Sequence, residues 1–212
     1  MEKLAIALWK ATTTSNEQCR STLLDTWAGE CRETEAIEHL TINVADIDQG
    51  AFVGGPDALL LVGRVEAHGL DDVPTRDTLH AIAQRLDVWR VVTNEVLVDS
   101  DPMNCIKMVS LVQRAAPITH AQFIRHWAEQ HAPLALRHHI GLCGYLQHEV
   151  RKSYTPGGNG TDGIAELSFR TRADFEERMY DSDAGKTIIR DDVQRFITRR
   201  SMASLMTPHR IV

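Results

Sequence analysis

Residues 123–134 read FIRHWAEQHAPL, and residues 26–31 read TWAGEC. Each stretch places a tryptophan in a segment with helical spacing, and each follows a β-prone run. Because Trp27 and Trp127 follow their first strands by a similar distance, we interpret the chain as one structural unit present twice. The same order of elements is predicted around both tryptophans.

The first half is predicted to fold as strand, helix, strand, strand, helix and strand. Ser15 and Thr75 have the residue type and position of helix N-caps. One apolar helical face is expected to contain Leu79, Ile82, Ala83 and Leu86. The predicted strands are 2–10, 39–47, 58–66 and 89–98, and the predicted helices are 15–28 and 75–86.

The second half repeats this order after an Asp-Pro break at residues 101–102. Thr119 is expected to cap its first helix, and its second helix is expected to break near residues 183–185. Pro208 is expected to end the last strand or to move it to a sheet edge. The predicted strands are 105–113, 142–150, 163–170 and 201–212, and the second helix is 172–197.

The order βαββαβ is that of the split βαβ, or ferredoxin-like, unit. Its helices cover one face of the sheet, so the other face needs a different cover. We therefore predict an α+β fold of two tandem ferredoxin-like βαββαβ units, residues 1–102 and 103–212, which form an intramolecular dimeric α/β-barrel. Further pairing of two chains into a homodimer is also compatible with this architecture.

The distribution of charge distinguishes the two halves. The net charge is −6, with −10 on residues 1–103 and +4 on residues 104–212. The acidic total argues against general nucleic-acid binding. Seven of the ten histidines lie in the second half, and histidine is the side chain that most often transfers protons near neutral pH.

Targeting signals and cysteine pairs are not expected. No apolar run reaches the roughly 18 residues of a membrane span, and the start MEKLAIALWK does not resemble a signal peptide. The four cysteines form no CxxC pair. We therefore expect reduced thiols, no membrane contact and a cytoplasmic location.

Three segments of the second half resemble the EthD family. Residues 123–134 match a helix of the form F-x-x-x-W-x-x-x-H-A-P-L, residues 141–145 (GLCGY) match the strand that follows, and residues 162–169 (DGIAELSF) match a later strand. The resemblance covers about residues 104–212. It implies a dimeric α/β-barrel, no organic cofactor, and dehydration, cyclisation or isomerisation of aromatic, polyketide-like or lactone substrates.

Three residues are the predicted catalytic groups. His131 lies one turn after Trp127 and just before a helix-kinking proline, Pro133, and an imidazole suits a general base. Tyr145 is a candidate donor to a developing oxyanion. His209 lies near the end of the last strand, where strands frame a cavity mouth. The alternative for each is a structural role.

The predicted substrate-binding residues are Trp127, Gln147, Glu166 and Ser168. Strand alternation places Gln147 on the same face as Tyr145, and Glu166 on the same face as Ser168. We expect the more apolar faces to meet the helices, so these polar side chains are expected to face the cavity between the two sheets. The alternative is that each is a hydrogen-bonded polar residue of the sheet.

Metal and nucleotide sites are not expected. His126 and His131 are five residues apart, which places them about 140° apart around a helix, and His138-His139 point to different sides. The glycine-rich loops lack the residues that follow in phosphate-binding motifs.

Because Cys31 replaces His131 in the first copy, we expect one working site per chain.

The leading hypothesis is a cofactor-independent lyase or isomerase in which His131 moves a proton next to a carbonyl group. The basic second half favours a small anionic substrate, such as an aromatic or lactone carboxylate. One alternative is a cofactor-free monooxygenase of phenolic substrates. Another is a non-enzymatic ligand-binding protein that accompanies a degradation pathway.

Overall fold

The computed structural model describes residues 2–33, 37–45, 54–63, 76–198 and 201–212. Eight strands in these residues close into one barrel. They are β1 (Glu2–Lys10), β2 (His39–Ala45), β3 (Ala58–Gly63), β4 (Ala83–Leu97), β5 (Ile106–Val112), β6 (Leu142–Ser153), β7 (Gly163–Phe169) and β8 (Met202–Arg210). All neighbouring strands pair antiparallel.

The strand order around the barrel is β1-β3-β2-β8-β5-β7-β6-β4. Strands of the first half are therefore contiguous, and so are those of the second half. Two seams join the halves: β4 pairs with β6, and β2 pairs with β8. The predicted closed barrel within one chain is confirmed, while its division into two ferredoxin-like units at residue 102 stays a prediction.

Helices lie on the outside of the barrel. In the first half they are α1 (Asn16–Ser21), a π-helical turn (Thr22–Trp27), α2 (Ala28–Arg32) and α3 (Arg76–Ile82). In the second half they are α4 (His120–His126), a second π-helical turn (Trp127–His131), α5 (Ala132–His138), α6 (Arg172–Glu177) and α7 (Asp183–Phe196). Ser15 and Thr119 accept backbone hydrogen bonds from Gln18 and Gln122, so both predicted N-caps are confirmed.

Three apolar cores follow from this arrangement. One lies between the first-half helices and the sheet and includes Trp27 and Leu40. Another lies between the second-half helices and the sheet and includes Phe123 and Phe169. The third fills the barrel with alternate residues of the strands, including the buried ring of Trp89. Both faces of the barrel sheet are therefore used for packing.

A chain of polar side chains crosses the apolar barrel interior. Lys107 Nζ donates to Glu166 Oε2 at 2.6 Å, and His148 Nε2 contacts the other carboxylate oxygen at 2.9 Å. Thr93 Oγ1 lies 2.9 Å from His148 Nδ1. Burial alone would raise the pKa of Glu166, but Lys107 and His148 together hold this pKa well below its usual range.

Several element boundaries differ from the sequence-based prediction. The helix predicted at 75–86 ends at Ile82, because β4 begins at Ala83, which pairs with Lys10. The break in the last helix, predicted near residues 183–185, lies earlier in the structure. It separates α6, which ends at Glu177, from α7, which begins at Asp183. Thr75 and residues 46–47 and 64–66 lie outside the described residues.

Pro208 does not end the last strand, which was one of the two predicted outcomes, but it lies where β8 is paired on one side only. β8 continues through it to Arg210. Pro208 pairs with Asn43 of β2, whereas the pairing of β8 with β5 stops at Met206. A proline is accommodated there because only one neighbouring strand requires a hydrogen-bonding partner.

No helix in the described part of the chain has the length and apolar character to span a membrane.

Removal of one member of the buried ion pair is expected to weaken the fold strongly. Glu166→Gln leaves the Lys107 ammonium, which is 4% exposed, without its carboxylate. We expect the free energy of unfolding to fall by roughly 3–5 kcal/mol, as measured by urea denaturation with tryptophan fluorescence. Arg172→Gln breaks the exposed pair with Glu176 and should cost less than about 1 kcal/mol. Equal losses in the two variants would contradict this account.

Candidate functional site

The second π-helical turn organises the candidate site. Its wide hydrogen bond joins the Ala132 N–H to the Trp127 carbonyl. Pro133 follows at the start of α5 and has no N–H for a regular helical bond. The first half contains a π-helical turn at Thr22–Trp27 without a nearby proline, so proline alone does not explain these turns.

Trp127, Tyr145 and Gln147 form a buried hydrogen-bonded cluster between this turn and β6. Trp127 Nε1 donates to Tyr145 Oη at 2.9 Å, and Gln147 Nε2 donates to the same oxygen at 3.0 Å. Gln147 Nε2 also lies 3.1 Å from the Trp127 carbonyl, and Asn94 Nδ2 donates to Gln147 Oε1 at 3.0 Å. The structure thus brings together three residues that the sequence had singled out.

The hydroxyl hydrogen of Tyr145 has no hydrogen-bond acceptor among the described residues, because the hydroxyl oxygen accepts both of the bonds that it makes. Burial raises the pKa of Tyr145 to about 12, despite the opposing effect of Gln147 and Trp127. Tyr145 is therefore neutral at physiological pH and has a hydrogen to donate.

Gly163, at the start of β7, makes room for Trp127. A Cβ atom at this position would overlap the Trp127 ring. The neighbouring Asp162 holds Arg114 through a 2.7 Å ion pair and lies 3.1 Å from His120. The Asp-Gly pair of the family-like strand is therefore explained by packing and by the anchoring of the segment that precedes α4.

Asp192 of α7 bridges two histidines. Its Oδ2 lies 2.9 Å from His131 Nδ1, and its Oδ1 lies 2.9 Å from His126 Nε2. All three side chains are largely buried. The Phe196 ring packs against both imidazoles, with centroid distances of 4.5 Å to His126 and 5.2 Å to His131.

Burial lowers the pKa of His131, and the hydrogen bond and charge of Asp192 partly oppose this effect. His131 is therefore neutral at pH 7. When its Nδ1–H donates to Asp192, Nε2 carries the free lone pair. This is the arrangement of a carboxylate-oriented general base.

A surface crevice of about 230 Å³ reaches this group through His126. Its lining also contains two arginines, Arg125 and Arg195, and two glutamines, Gln122 and Gln130. The crevice combines a histidine that contacts Asp192 with two cationic side chains, which favours a small anionic ligand.

Tyr145 and Gln147 do not face the barrel interior, contrary to the sequence-based prediction. They face the helices, and His148 and Val150 face inward. The reason is that the Trp127 indole donates to Tyr145 and the Trp127 carbonyl accepts from Gln147 on the helix side. Buried polar groups follow hydrogen-bond partners rather than average polarity.

Glu166 and Ser168 do face the barrel interior, as predicted, but they lie on the opposite side of the sheet from His131. Glu166 is fully buried, and its two carboxylate oxygens contact Lys107 and His148. Ser168 pairs with Lys107 in the β5–β7 ladder and is 5% exposed. The structure therefore does not bring either residue to the His131 group.

His209 also lies apart from His131. It belongs to the end of β8 beside β2, and its Nε2 lies 3.2 Å from Arg20 Nη2 of the first half. The expectation that strand ends would gather His209 with His131 and Tyr145 is not met. The cause is the barrel order, which places β8 against first-half elements at this end.

Cys31, the counterpart of His131 in the repeat, is a fully buried thiol. Burial, with a smaller contribution from Glu30, raises its pKa to about 12. A neutral, enclosed thiol is neither a base nor a nucleophile at pH 7. This contrast agrees with a single acid–base group in the second half.

Sequence reasoning had missed Asp192 and had considered His126 only as a metal ligand. Asp192 is 61 residues from His131 along the chain, and one acidic residue among several on α7 has no distinguishing pattern. The i, i+5 spacing of His126 and His131 was the available signal, because a π-helical turn brings such positions closer together. Within the described residues, no cluster of three or more His, Cys, Asp or Glu side chains has the geometry of a metal site.

Comparison with known proteins confirms the family resemblance. The model of the EthD domain matches residues 115–200. No curated protein sequence matches the chain.

Several solved structures share the fold. An anthrone oxidase-like protein superposes with a TM-score of 0.68 at 10% identity, over 99% of this chain and 92% of that chain. A candidate monooxygenase from Lactobacillus acidophilus NCFM gives 0.57 at 9% identity, over 100% and 94%. Chlorite dismutase from Candidatus Nitrospira defluvii gives 0.54 at 11% identity, over 97% and 90%. At these identities the likeness shows a shared dimeric α/β-barrel fold.

Gly163→Ala is expected to displace Trp127 and weaken its bond to Tyr145. We expect a loss of roughly 1–3 kcal/mol in the free energy of unfolding and a shift in tryptophan emission. Gly29→Ala is the matched control, because a Cβ at this helical glycine meets nothing within 4 Å. It should stabilise the protein by up to about 1 kcal/mol. An unchanged free energy of unfolding in Gly163→Ala would show that the contact between residue 163 and Trp127 is not tight.

Asp192→Asn is expected to lower the pKa of His131 further. Asp192 is the group that raises this pKa against the effect of burial, and its neutralisation removes the attraction for the imidazolium form. NMR titration of the histidine ring signals measures the change, with the exposed His80 as an internal control. An unchanged or higher pKa of His131 would contradict the role assigned to Asp192.

Proposed function

We propose that the second half of this chain, of which residues 115–200 match the model of the EthD domain, holds the proton-transfer site of a cofactor-independent enzyme. The proposed reaction class is a lyase or isomerase reaction on a small anionic aromatic or lactone-type substrate. The observation that carries the proposal is the Asp192 carboxylate, which holds His131 through Nδ1 at 2.9 Å.

His131 acts as the base in this proposal. Its Nε2 takes a proton from a carbon next to a carbonyl group, and the electron pair of the broken C–H bond moves onto the carbonyl oxygen. Asp192 stabilises the imidazolium that forms. Return of the proton to a different carbon completes an isomerisation, and transfer of the proton to a departing hydroxyl completes a dehydration.

Tyr145 supplies the hydrogen bond to the enolate oxygen. Its hydroxyl is held in place by Trp127 and Gln147, and its own hydrogen is not accepted by any described residue. A pre-oriented donor in a buried environment stabilises developing negative charge more than water does. Trp127 and Gln147 thus position the donor in this proposal and do not themselves take part in proton transfer.

His126 completes the site from the solvent side. It shares Asp192 with His131 and lines the crevice that contains Arg125 and Arg195. The two arginines would hold the anionic group of a substrate, which agrees with the net charge of +4 on residues 104–212. The planar guanidinium groups of these arginines are suited to bind the anionic group of the substrate.

A cofactor-free monooxygenase acting on phenols is the second candidate. The names of two fold neighbours, an anthrone oxidase-like protein and a candidate monooxygenase, favour it. The same base would remove the phenolic proton, and the electron-rich anion would then react with O₂. A role as a ligand-binding accessory protein would use the crevice without turnover.

Turnover assays on a panel of phenols, hydroxylated aromatic carboxylates and lactones test the proposal. We expect His131→Gln to lower kcat at least 100-fold with an unchanged unfolding midpoint. His80, which is exposed on α3, provides the control, and His80→Gln should leave kcat unaltered. Tyr145→Phe should lower kcat with little effect on KM, because its bond strengthens in the transition state. Full activity of His131→Gln would exclude His131 as the base.

Oxygen consumption and solvent isotope exchange separate the candidate functions. An isomerase incorporates deuterium from D₂O at the carbon that is reprotonated, a lyase releases water from the substrate, and neither consumes O₂. A monooxygenase consumes O₂ in proportion to product. Thermal stabilisation by a ligand, with neither exchange nor product, would favour the accessory role.

A further inference from the structure

A second crevice lies at the seam where β8 of the second half pairs with β2 of the first half, away from His131. Its volume is about 520 Å³, and it lies between α2 and the end of β8. Four apolar side chains line it: Leu24, Met103, Pro208 and Ile211. Polar and cationic side chains, Arg32, Thr207, His209 and Arg210, complete the lining. We call this the arginine crevice.

Three arginines, Arg20, Arg32 and Arg210, lie in or beside this crevice. Among the described residues, Arg20, Arg32 and Arg210 make no ion pair, whereas six arginines of the second half do so. Arg20 and Arg32 belong to residues 1–103, whose net charge is −10, and Arg210 belongs to residues 104–212, whose net charge is +4. Unneutralised cations at a concave surface attract anionic ligands.

The contact between Arg20 and His209 adds an independent observation. Arg20 Nη2 lies 3.2 Å from His209 Nε2, a pairing of two groups that would repel each other if both were charged. Burial and the Arg20 charge lower the pKa of His209, so the imidazole is neutral and accepts the bond. Among the described residues, Arg20 therefore contacts a neutral imidazole and makes no ion pair with a carboxylate.

We propose that the arginine crevice binds a monocarboxylate with an apolar body, with Arg32 and Arg210 around the carboxylate and Leu24, Met103 and Ile211 around the body. The ligand class follows from the lining, which pairs cationic groups with apolar side chains. Arg32 Nε lies 3.4 Å from the Ile211 carbonyl, which keeps its side chain against the crevice. This site is independent of the reaction proposed for the second half.

Octanoate is the probe, with acetate and 1-octanol as controls for charge alone and apolar body alone. We expect octanoate to bind the full chain in isothermal titration calorimetry and to shift the ring signals of His209 in NMR spectra. At equal concentration, neither control should bind measurably. Equal binding of octanol and octanoate would overturn the proposal, because the arginines would then contribute nothing.

The double variant Arg32→Gln/Arg210→Gln is expected to weaken octanoate binding at least tenfold. Arg172→Gln/Arg190→Gln removes the same charge from exposed α6 and α7 and should leave the affinity unchanged. Loss of binding in both double variants would indicate only a net-charge effect and would overturn the proposal. Binding by wild type without a shift of His209 would also overturn it, because the ligand would lie elsewhere.

Discussion

Closure of the eight strands into one barrel is the constraint on which the other features depend. A closed sheet has no free edge, so every strand must be paired on both sides and packed on both faces. The inner face is filled by apolar side chains around Trp89, and the outer face is covered by the helices. Polar groups on either face must find partners within the protein.

The two sides of the second-half sheet solve this problem differently. Inside the barrel, the Glu166 carboxylate is paired with Lys107 and oriented by His148. Its charge is therefore used within the fold and is not available to a ligand. Outside, Tyr145 and Gln147 form hydrogen bonds with a π-helical turn whose final residue is His131. The same irregular turn that satisfies buried polar atoms thus positions an imidazole beside Asp192.

Sequence reasoning recovered the order of the strands and helices, because apolar periodicity and the caps at Ser15 and Thr119 are local signals. It also recovered the inward direction of Glu166. It failed at Tyr145 and Gln147, since their direction depends on contacts with the Trp127 indole and carbonyl, which only the packing of the helix against β6 creates. It could not find Asp192, because its contact with His131 is created by the packing of α7 and by no local pattern.

The presence of both halves of the barrel in one chain has a consequence for how the protein behaves on dilution. A barrel assembled from two chains separates when the protein concentration falls below the dissociation constant. Here residues 98–105 tether β4 to β5, so the two halves remain at a fixed and high effective concentration. Closure of the barrel therefore does not depend on the protein concentration.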